Sequence, residues 1–204
     1  MMLGVSLLLV LAVLTPTHAT VQQTQTLVYV FPEAYTVPSI GSTFSLDISI
    51  QNVTNLYAWE LKLYYPNSVL NGTTVTEGPF LKAGGVSTFF FWPEFTDNYN
   101  ATQGRLHVAC TRTGDVMGVD GDGVLATITF NSTSNDGPKS LHLADVKLSD
   151  PNATKIPFVT VDGEVTVLPE FSTTLILPLL VMISLTAIIL RKKMVNHRGI
   201  FHTA

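Results

Sequence analysis

The feature that most constrains the fold is an alternation of apolar and polar residues that recurs along most of the chain. Side chains of a β-strand point alternately to opposite faces, so a period of two predicts strands with one buried face. The runs cover residues 27–31, 44–50, 56–65, 86–92, 105–112, 124–130, 140–148 and 158–167, with a further short strand near 69–75. Gly, Pro, Asn and Asp separate them, and no apolar helical pattern extends over three turns. Eight or nine short strands predict an all-β sandwich.

Charged residues make up only 13% of the 204 residues, about half the usual share, and they are unevenly distributed. Segments 1–19 and 172–190 carry none. Residues 21–171 hold 7 basic and 15 acidic residues, a net charge of −8, whereas residues 191–204 carry +4. This division excludes a cytosolic enzyme, a disordered acidic tail and a nucleic-acid binder, because the basic residues are few and lie beside an apolar segment. It predicts an exported surface protein tethered to a membrane.

The first uncharged segment, residues 1–19, has the pattern of a signal peptide. Its apolar core, residues 3–14, is too short to span a bilayer as a helix. Thr17-His18-Ala19 places small residues at the two positions that a signal peptidase reads, which predicts cleavage after Ala19. The segment before the core has no Lys or Arg, so an uncleaved anchor is the alternative.

The second uncharged segment, residues 172–190, supplies 19 residues. As a helix it would be about 28 Å long, close to the thickness of the hydrocarbon layer, and it predicts a transmembrane helix. Arg191, Lys192 and Lys193 follow directly, and basic residues beside a span stay on the cytoplasmic side. The acidic region is therefore predicted outside the cell and residues 194–204 as a cytoplasmic tail. A buried core helix is the alternative.

Five Asn-X-Thr tripeptides mark candidate glycosylation sites in the exported region. Their asparagines are Asn52, Asn71, Asn100, Asn131 and Asn152. All five fall outside the predicted strands or at their ends, where a glycan would not disturb the core. The alternative is that Asn and Thr are simply common in turns.

An aromatic group near the middle of the chain is the clearest candidate for carbohydrate contact. Phe90, Trp92, Phe95 and Tyr99 lie within ten residues, and exposed coplanar rings can stack on sugar faces. Three consecutive phenylalanines, residues 89–91, place at least one ring outward on a strand. Packing of the same rings into the core is the alternative.

Metal binding and catalysis find little support in the sequence. Asp115, Asp120 and Asp122 alternate with glycines and are a weak candidate for calcium, but the EF-hand spacing is absent and an ordinary turn is the alternative. Between the two apolar segments only His107 and His142 could ligate zinc as imidazoles, and no nucleophile or phosphate-binding motif occurs. The single cysteine, Cys110, alternates in phase with aliphatic residues and is predicted to be buried. No cofactor is expected.

The order of residues resembles that of cohesin domains. The resemblance covers residues 26–168 and is carried by FSLDISIQNVTNLYAWELKLYYPNSVL, EGPFLKAGG, GRLHVACTRTG, GDGVLATITF, LHLADVKLSD and VTVDGEVTVL. It implies a nine-stranded jelly-roll sandwich that binds dockerin modules without catalysis.

The resemblance also implies a docking sheet formed by residues 56–65, 86–92, 105–112 and 140–148. Alternation then selects the residues that face outward on it. The candidate partner-binding residues are Ala58, Glu60, Lys62, Tyr64, His107, Thr111 and Arg112. The alternative is an ordinary solvated sheet face, which also shows alternating polar residues.

Pro169, Glu170 and Phe171 precede the second apolar segment, and residues 169–193 resemble the PEF-type sorting signal of archaeal surface proteins. This resemblance implies cleavage by a sortase-like enzyme and transfer to a lipid anchor, although residues 194–204 continue past the usual end of such signals. Together these features predict a noncatalytic binding or adhesion module at the cell surface that recognises a dockerin-type protein or a surface polysaccharide. The alternatives are a carbohydrate-binding module and a structural component of the cell envelope.

Overall fold

The structure is a computed structural model that describes residues 25–169 and 173–198. The predicted signal peptide, residues 1–19, and Glu170 and Phe171 of the predicted sorting motif lie outside the described residues. Eleven β-strands and one α-helix are present in the described part: β1 (Thr26–Phe31), β2 (Ala34–Val37), β3 (Thr43–Leu56), β4 (Ala58–Pro66), β5 (Leu70–Glu77), β6 (Thr88–Thr96), β7 (Gln103–Arg112), β8 (Val119–Ser132), β9 (Pro138–Ser149), β10 (Phe158–Val161), β11 (Gly163–Val167) and α1 (Thr173–Arg198). A short 3-10 segment, Phe80–Gly85, connects β5 to β6.

The strands form two sheets that pack face to face. One sheet has the order β10-β1-β3-β8-β5 and the other β2-β11-β9-β4-β7-β6. Neighbouring strands are antiparallel except for β1 with β10 and β2 with β11, which are parallel. The prediction of an all-β sandwich is confirmed.

The structure has more strands than predicted because the chain changes sheets twice: β2 lies outside the predicted strands, and the predicted strand 158–167 divides into β10 and β11. The chain passes from β1 in the five-stranded sheet to β2 in the six-stranded one, and β10 and β11 make the same change near the C-terminal end. Gly163 begins β11, where a Cβ atom would lie 2.7 Å from Cγ1 of Val30. Only glycine allows the two segments to approach this closely. Along residues 158–167 the alternation continues through the crossover, so it predicts one strand where there are two.

The core lies between the sheets and follows the predicted alternation. On β4, the side chains of Trp59, Leu61, Leu63 and Tyr65 are all buried. The ring of Phe130 lies at the centre of an aromatic cluster, 5.0 Å from the Tyr65 ring and 6.1 Å from the Phe95 ring. Aromatic pairs at these separations add to the free energy gained by burial.

Helix α1 extends to Arg198, eight residues beyond the predicted end at Leu190. Its large apolar side chains from Leu177 to Leu190 are exposed. Nowhere in the described residues does a helix meet the combined length and hydropathy required of a membrane span. The transmembrane helix predicted over residues 172–190 therefore stays a prediction.

Candidate functional site

The outward side of β6, β7, β4 and β9 forms a continuous surface, here called the six-stranded face. Cross-strand pairing places its side chains in four rows. In the strand order β6, β7, β4, β9 the rows are Phe89-Thr111-Ala58-Ser149, Phe91-Ala109-Glu60-Lys147, Glu94-His107-Lys62-Ala144 and Thr96-Arg105-Tyr64-His142. Of the seven predicted partner-binding residues, six lie in these rows.

Glu60 is the centre of an ionic network on this face. Its Oε1 lies 3.0 Å from Nε2 of His107, and its Oε2 accepts a hydrogen bond from Nζ of Lys147 at 3.0 Å. The hydrogen bond from Lys147, followed by that from His107, lowers the pKa of Glu60 below its ordinary value. The carboxylate is therefore held charged and oriented by two strands, β7 and β9, at once.

A β-bulge adds a second ion pair beside this network. The register between β4 and β9 shifts between Glu60 and Lys62, and Asp145 in the bulge has a positive φ of 48°. Aspartate tolerates this backbone conformation better than most residues. The bulge presents Asp145 to Lys62, whose Nζ donates to Oδ2 at 2.7 Å. The hydrogen bond lowers the pKa of Asp145, which is exposed, and raises that of Lys62, which is half-buried.

An apolar region occupies the end of the face where β6 begins. Phe89 and Phe91 are 48% and 43% exposed, and their rings meet edge to face with centroids 4.6 Å apart. Their cross-strand neighbours on β7 are Thr111 and Ala109, which are small. Two large exposed rings beside small side chains form a raised apolar surface that a partner could cover.

Tyrosines occupy the opposite end of the face. The rings of Tyr64 and Tyr99 have centroids 5.5 Å apart, and the guanidinium carbon of Arg105 lies 4.5 Å above the Tyr99 ring. Burial, followed by a hydrogen bond with Tyr99, raises the pKa of Tyr64. This end is also where the chain leaves the sandwich. Strands β4 and β11 both run antiparallel to β9, so Leu168 lies at the tyrosine end and Phe89 at the far end.

Comparisons with known proteins identify the fold. The profile of the cohesin domain family matches residues 32–167. The chain belongs to the cohesin family. No curated protein matches it in sequence. Cohesin domains are noncatalytic protein–protein interaction modules, typically extracellular or at the cell surface, which confirms the prediction of a protein without enzymatic activity.

Solved structures agree with this assignment. The cohesin domain is similar to a non-cellulosomal cohesin from the archaeon Archaeoglobus fulgidus, at 20% identity and a TM-score of 0.53 over 71% of this chain and 91% of that one. It is also similar to a cohesin from Clostridium thermocellum solved in complex with a dockerin, Coh-OlpC-Doc435, at 16% identity and a TM-score of 0.56, covering 72% and 95%. A type II cohesin from the cellulosome of Acetivibrio cellulolyticus matches at 15% identity and a TM-score of 0.55, covering 69% and 95%. At these identities the likeness establishes the fold.

The cohesin domain does not present Arg112 as predicted. Arg112 is only 6% exposed, because the alternation that turns Thr111 outward turns the next residue inward. Its Nη2 donates to the carbonyl oxygen of Ala83 at 3.1 Å, which ties the 3-10 segment to the end of β7. The prediction that Arg112 faces a partner is wrong, and the residue supports a connection instead.

The aromatic prediction is wrong for two of its four residues. Phe90 packs against Trp59, with centroids 6.3 Å apart, and Phe95 packs against the ring of Phe130 in the core. Tyr99 is exposed, and the side chain of Trp92 lies outside the described residues. The prediction that at least one of the three phenylalanines faces outward is confirmed. The register shift between Phe91 and Glu94 reverses the alternation, so no single count by two along β6 places both Phe90 and Phe95 inward.

Two of the three aspartates proposed for calcium have other partners. Oδ1 of Asp120 accepts a hydrogen bond from the backbone N–H of Asn55 at 2.6 Å, and Oδ1 of Asp122 accepts one from Asn52 at 2.7 Å. Both asparagines have positive φ angles at bulges of β3. Across the described part of the chain, no group of three His, Cys, Asp or Glu side chains is arranged to hold a metal ion. The two carboxylates instead accept hydrogen bonds from backbone N–H groups that the bulges take out of the hydrogen bonding between strands.

Sequence reasoning missed several residues of the face. Phe89, Phe91, Arg105, Lys147 and Asp145 all contribute to it. One signal was available, because Thr111 was assigned outward and the residue opposite it on a neighbouring strand must face the same way. The bulge that turns Asp145 toward Lys62 carries no comparable signal in the sequence.

Cys110 is buried as predicted. Its Sγ lies 3.4 Å from Oε1 of Glu77, and burial, together with this carboxylate, raises the pKa of the thiol to about 12. A thiol that stays protonated is a poor nucleophile, so Cys110 contributes packing rather than chemistry.

Proposed function

We propose that this cohesin domain binds a dockerin-type protein module through its six-stranded face. The observation that supports the proposal is the combination of an exposed phenylalanine pair with an ordered ionic network on one surface. Large apolar anchors surrounded by oriented polar groups are typical of protein interfaces. Dockerins occupy the partner position in several of the solved cohesin complexes, including the one with Doc435.

The phenylalanine pair and the ionic network would serve different purposes. Phe89 and Phe91 would be covered by the partner and supply affinity, since buried aromatic side chains dominate binding free energy. His107 and Lys147 both pair with Glu60 before binding, so this network would supply orientation and rate more than affinity. The partner is therefore expected to carry a small apolar surface beside groups that complement Glu60 and Lys147.

A capture experiment tests the docking surface. The full chain, solubilised in a mild detergent and immobilised through a C-terminal tag, would be exposed to dockerin modules encoded by the same cell. Phe89→Ala and Phe91→Ala should each weaken capture by about 30-fold, the loss typical of truncating an interface hot spot. Phe31→Ala is the matched control, because Phe31 is 54% exposed on the opposite sheet. Equal losses in all three variants would contradict the assignment of the face.

Carbohydrate binding is a second candidate function, with Tyr99 as its remaining exposed aromatic. The rings of Phe89 and Phe91 are inclined at 79° and those of Tyr64 and Tyr99 at 58°. A flat sugar platform requires rings that lie in one plane, so this geometry favours a protein partner. Retention on insoluble polysaccharide that disappears in Tyr99→Ala would support the carbohydrate function instead. A structural role in the cell envelope would show neither activity.

We also propose that residues 169–193 hold the domain at the outer surface of the cell membrane. The continuous exposure of apolar side chains from Leu177 to Leu190, followed by Arg191, supports this proposal. The tyrosine end of the face would then lie nearest the bilayer and the phenylalanine end farthest from it. Mass measurement of the mature C-terminus tests processing near Pro169: an intact tail indicates a membrane helix, and loss of the tail with added lipid indicates a lipid anchor.

A further inference from the structure

The five Asn-X-Thr sites are distributed unevenly over the folded domain. None of their asparagines occupies any of the four rows of the six-stranded face. Three belong to the five-stranded sheet and two lie in connections: Asn52 on β3, Asn71 on β5, Asn131 on β8, Asn100 between β6 and β7, and Asn152 between β9 and β10. Glycans at these positions would cover one side and the ends of the sandwich and leave the opposite side bare.

Four of the asparagines are exposed and one is enclosed. Asn52, Asn71, Asn100 and Asn152 are exposed, whereas Asn131 is half-buried. Asn131 lies between Asn71 and Thr43 in the ladder and is directly opposite both. Opposed Cβ atoms lie about 5 Å apart, so a glycan on Asn71 leaves no room for one on Asn131. Asn71 lies on the edge strand β5, which makes it the accessible member of the pair.

The exposed sites have local geometry that accommodates a modified amide. Nδ2 of Asn100 donates to Oε1 of Gln103, and a glycosylated amide retains one N–H for this bond. The backbone N–H groups of Asn152 and Thr154 both donate to Oδ1 of Asp150, so the turn is held without the Asn152 side chain. Asn52, Thr154 and Lys155 line the same groove.

We propose that Asn52, Asn71, Asn100 and Asn152 carry N-linked glycans and that Asn131 is bare. The donor would be an oligosaccharide joined through C1 of its first sugar to a lipid phosphate. The Nδ2–C1 bond forms as the bond from C1 to the phosphate oxygen breaks, the oxygen keeps the electron pair, and Nδ2 loses one proton. No oxidation is involved. The glycans cover the outer surface of the five-stranded sheet and the ends of the domain, and they leave the six-stranded face accessible.

Glycopeptide mass spectrometry of the full chain from its native cells tests the modification directly. Sugar-containing masses are expected on the peptides of the four exposed sites, with unmodified Asn131. Unmodified peptides at all five sites, or a glycan on Asn131 with a bare Asn71, would overturn the proposal. Neither outcome depends on the partner, so a failed capture experiment leaves this result intact.

Lysine acylation with a bulky reagent tests the coverage. Thr54→Ala/Thr154→Ala removes two sites without changing the asparagines. In this variant, labelling of Lys155 should rise several-fold, because Lys155 lines the same groove as Asn52 and Thr154. Lys147 is the control, since its side chain is 68% exposed on the six-stranded face. Its labelling should stay the same in both proteins. Unchanged labelling of Lys155, or an equal rise at Lys147, would show that the glycans do not divide the surface in this way.

Discussion

Replacing Asp120 and Asp122 with alanine will destabilise the domain even though both side chains are exposed. Each carboxylate accepts a hydrogen bond from an amide of a β3 bulge, at 2.6 Å and 2.7 Å. A hydrogen bond in a protein contributes about 1 kcal/mol net, and those to charged groups somewhat more. Because both aspartates are exposed, water can replace part of the lost hydrogen bonding. We expect about 1 kcal/mol for each single variant.

The double variant should lose about 2 kcal/mol if the two bonds are independent. For a domain of this size that corresponds to a lower melting temperature by roughly 4–8 °C. Because Asn52 and Asn55 are close in the chain, a departure from additivity would measure the coupling of the two bulges. The native structure and the surface exposed on unfolding should not change, so the dependence on urea should keep its slope.

Urea unfolding followed by tryptophan fluorescence measures these differences, with the buried Trp59 as a reporter. Asp115→Ala is the matched control, because Asp115 lies in the same region and accepts no comparable bond among the described residues. It should unfold within about 0.5 kcal/mol of the wild type. The experiment is repeated with calcium and with a chelator. Losses confined to calcium-containing buffer, or equal losses in all three single variants, would refute the role assigned to the two carboxylates.

Three further perturbations test other parts of the structure. The pKa of Glu60 is lowered in the folded protein, so its contribution to stability is present above the ordinary value of 4.5 and is lost as pH falls through the folded value. In an acid titration the stability of Glu60→Gln should therefore fall less steeply with pH than that of the wild type. An unchanged profile would argue against the network. Cys110, with its pKa raised to about 12, should resist alkylation at mildly alkaline pH in the native protein and react in concentrated guanidinium; rapid native labelling would show that the thiol is accessible. Gly104→Ala should lower the free energy of unfolding by about 1–3 kcal/mol, because its Cβ would lie 2.3 Å from Cε2 of the buried Tyr65 ring. Unfolding at the same urea concentration as the wild type would contradict this packing.

The residues of β4 and β7 show how much of the site was accessible from the sequence. Both strands are regular, so counting by two assigned Glu60, Lys62 and His107 outward and Trp59 and Cys110 inward. On β6 such counting cannot assign the whole strand, because the shift between Phe91 and Glu94 reverses the parity. At Arg112 the alternation was right and the prediction departed from it, since the position after the outward Thr111 is inward. Bulges depend on contacts with the partner strand, and no local pattern records them.

The aspartates of the β7–β8 connection and β8 illustrate a second limit. Alternating Gly and Asp residues fit both a calcium loop and a turn, and the sequence leaves the choice open. The choice depends on β3, some seventy residues earlier in the chain, whose two bulges provide unpaired amides at hydrogen-bond distance. Only this long-range contact shows that the carboxylates accept hydrogen bonds from the backbone rather than bind a metal ion.

The sequence by itself determined the class of fold, the strand faces that form the core, and the division of the chain into uncharged ends and an acidic domain. These follow from periodicity and charge, which are local properties. The tertiary structure alone decided that two segments change sheets, that Phe89 and Phe91 rather than Phe90 and Phe95 reach the surface, and that the ionic network forms around Glu60. Each of these depends on the register between strands distant in the chain, and register is set by packing across the whole sandwich.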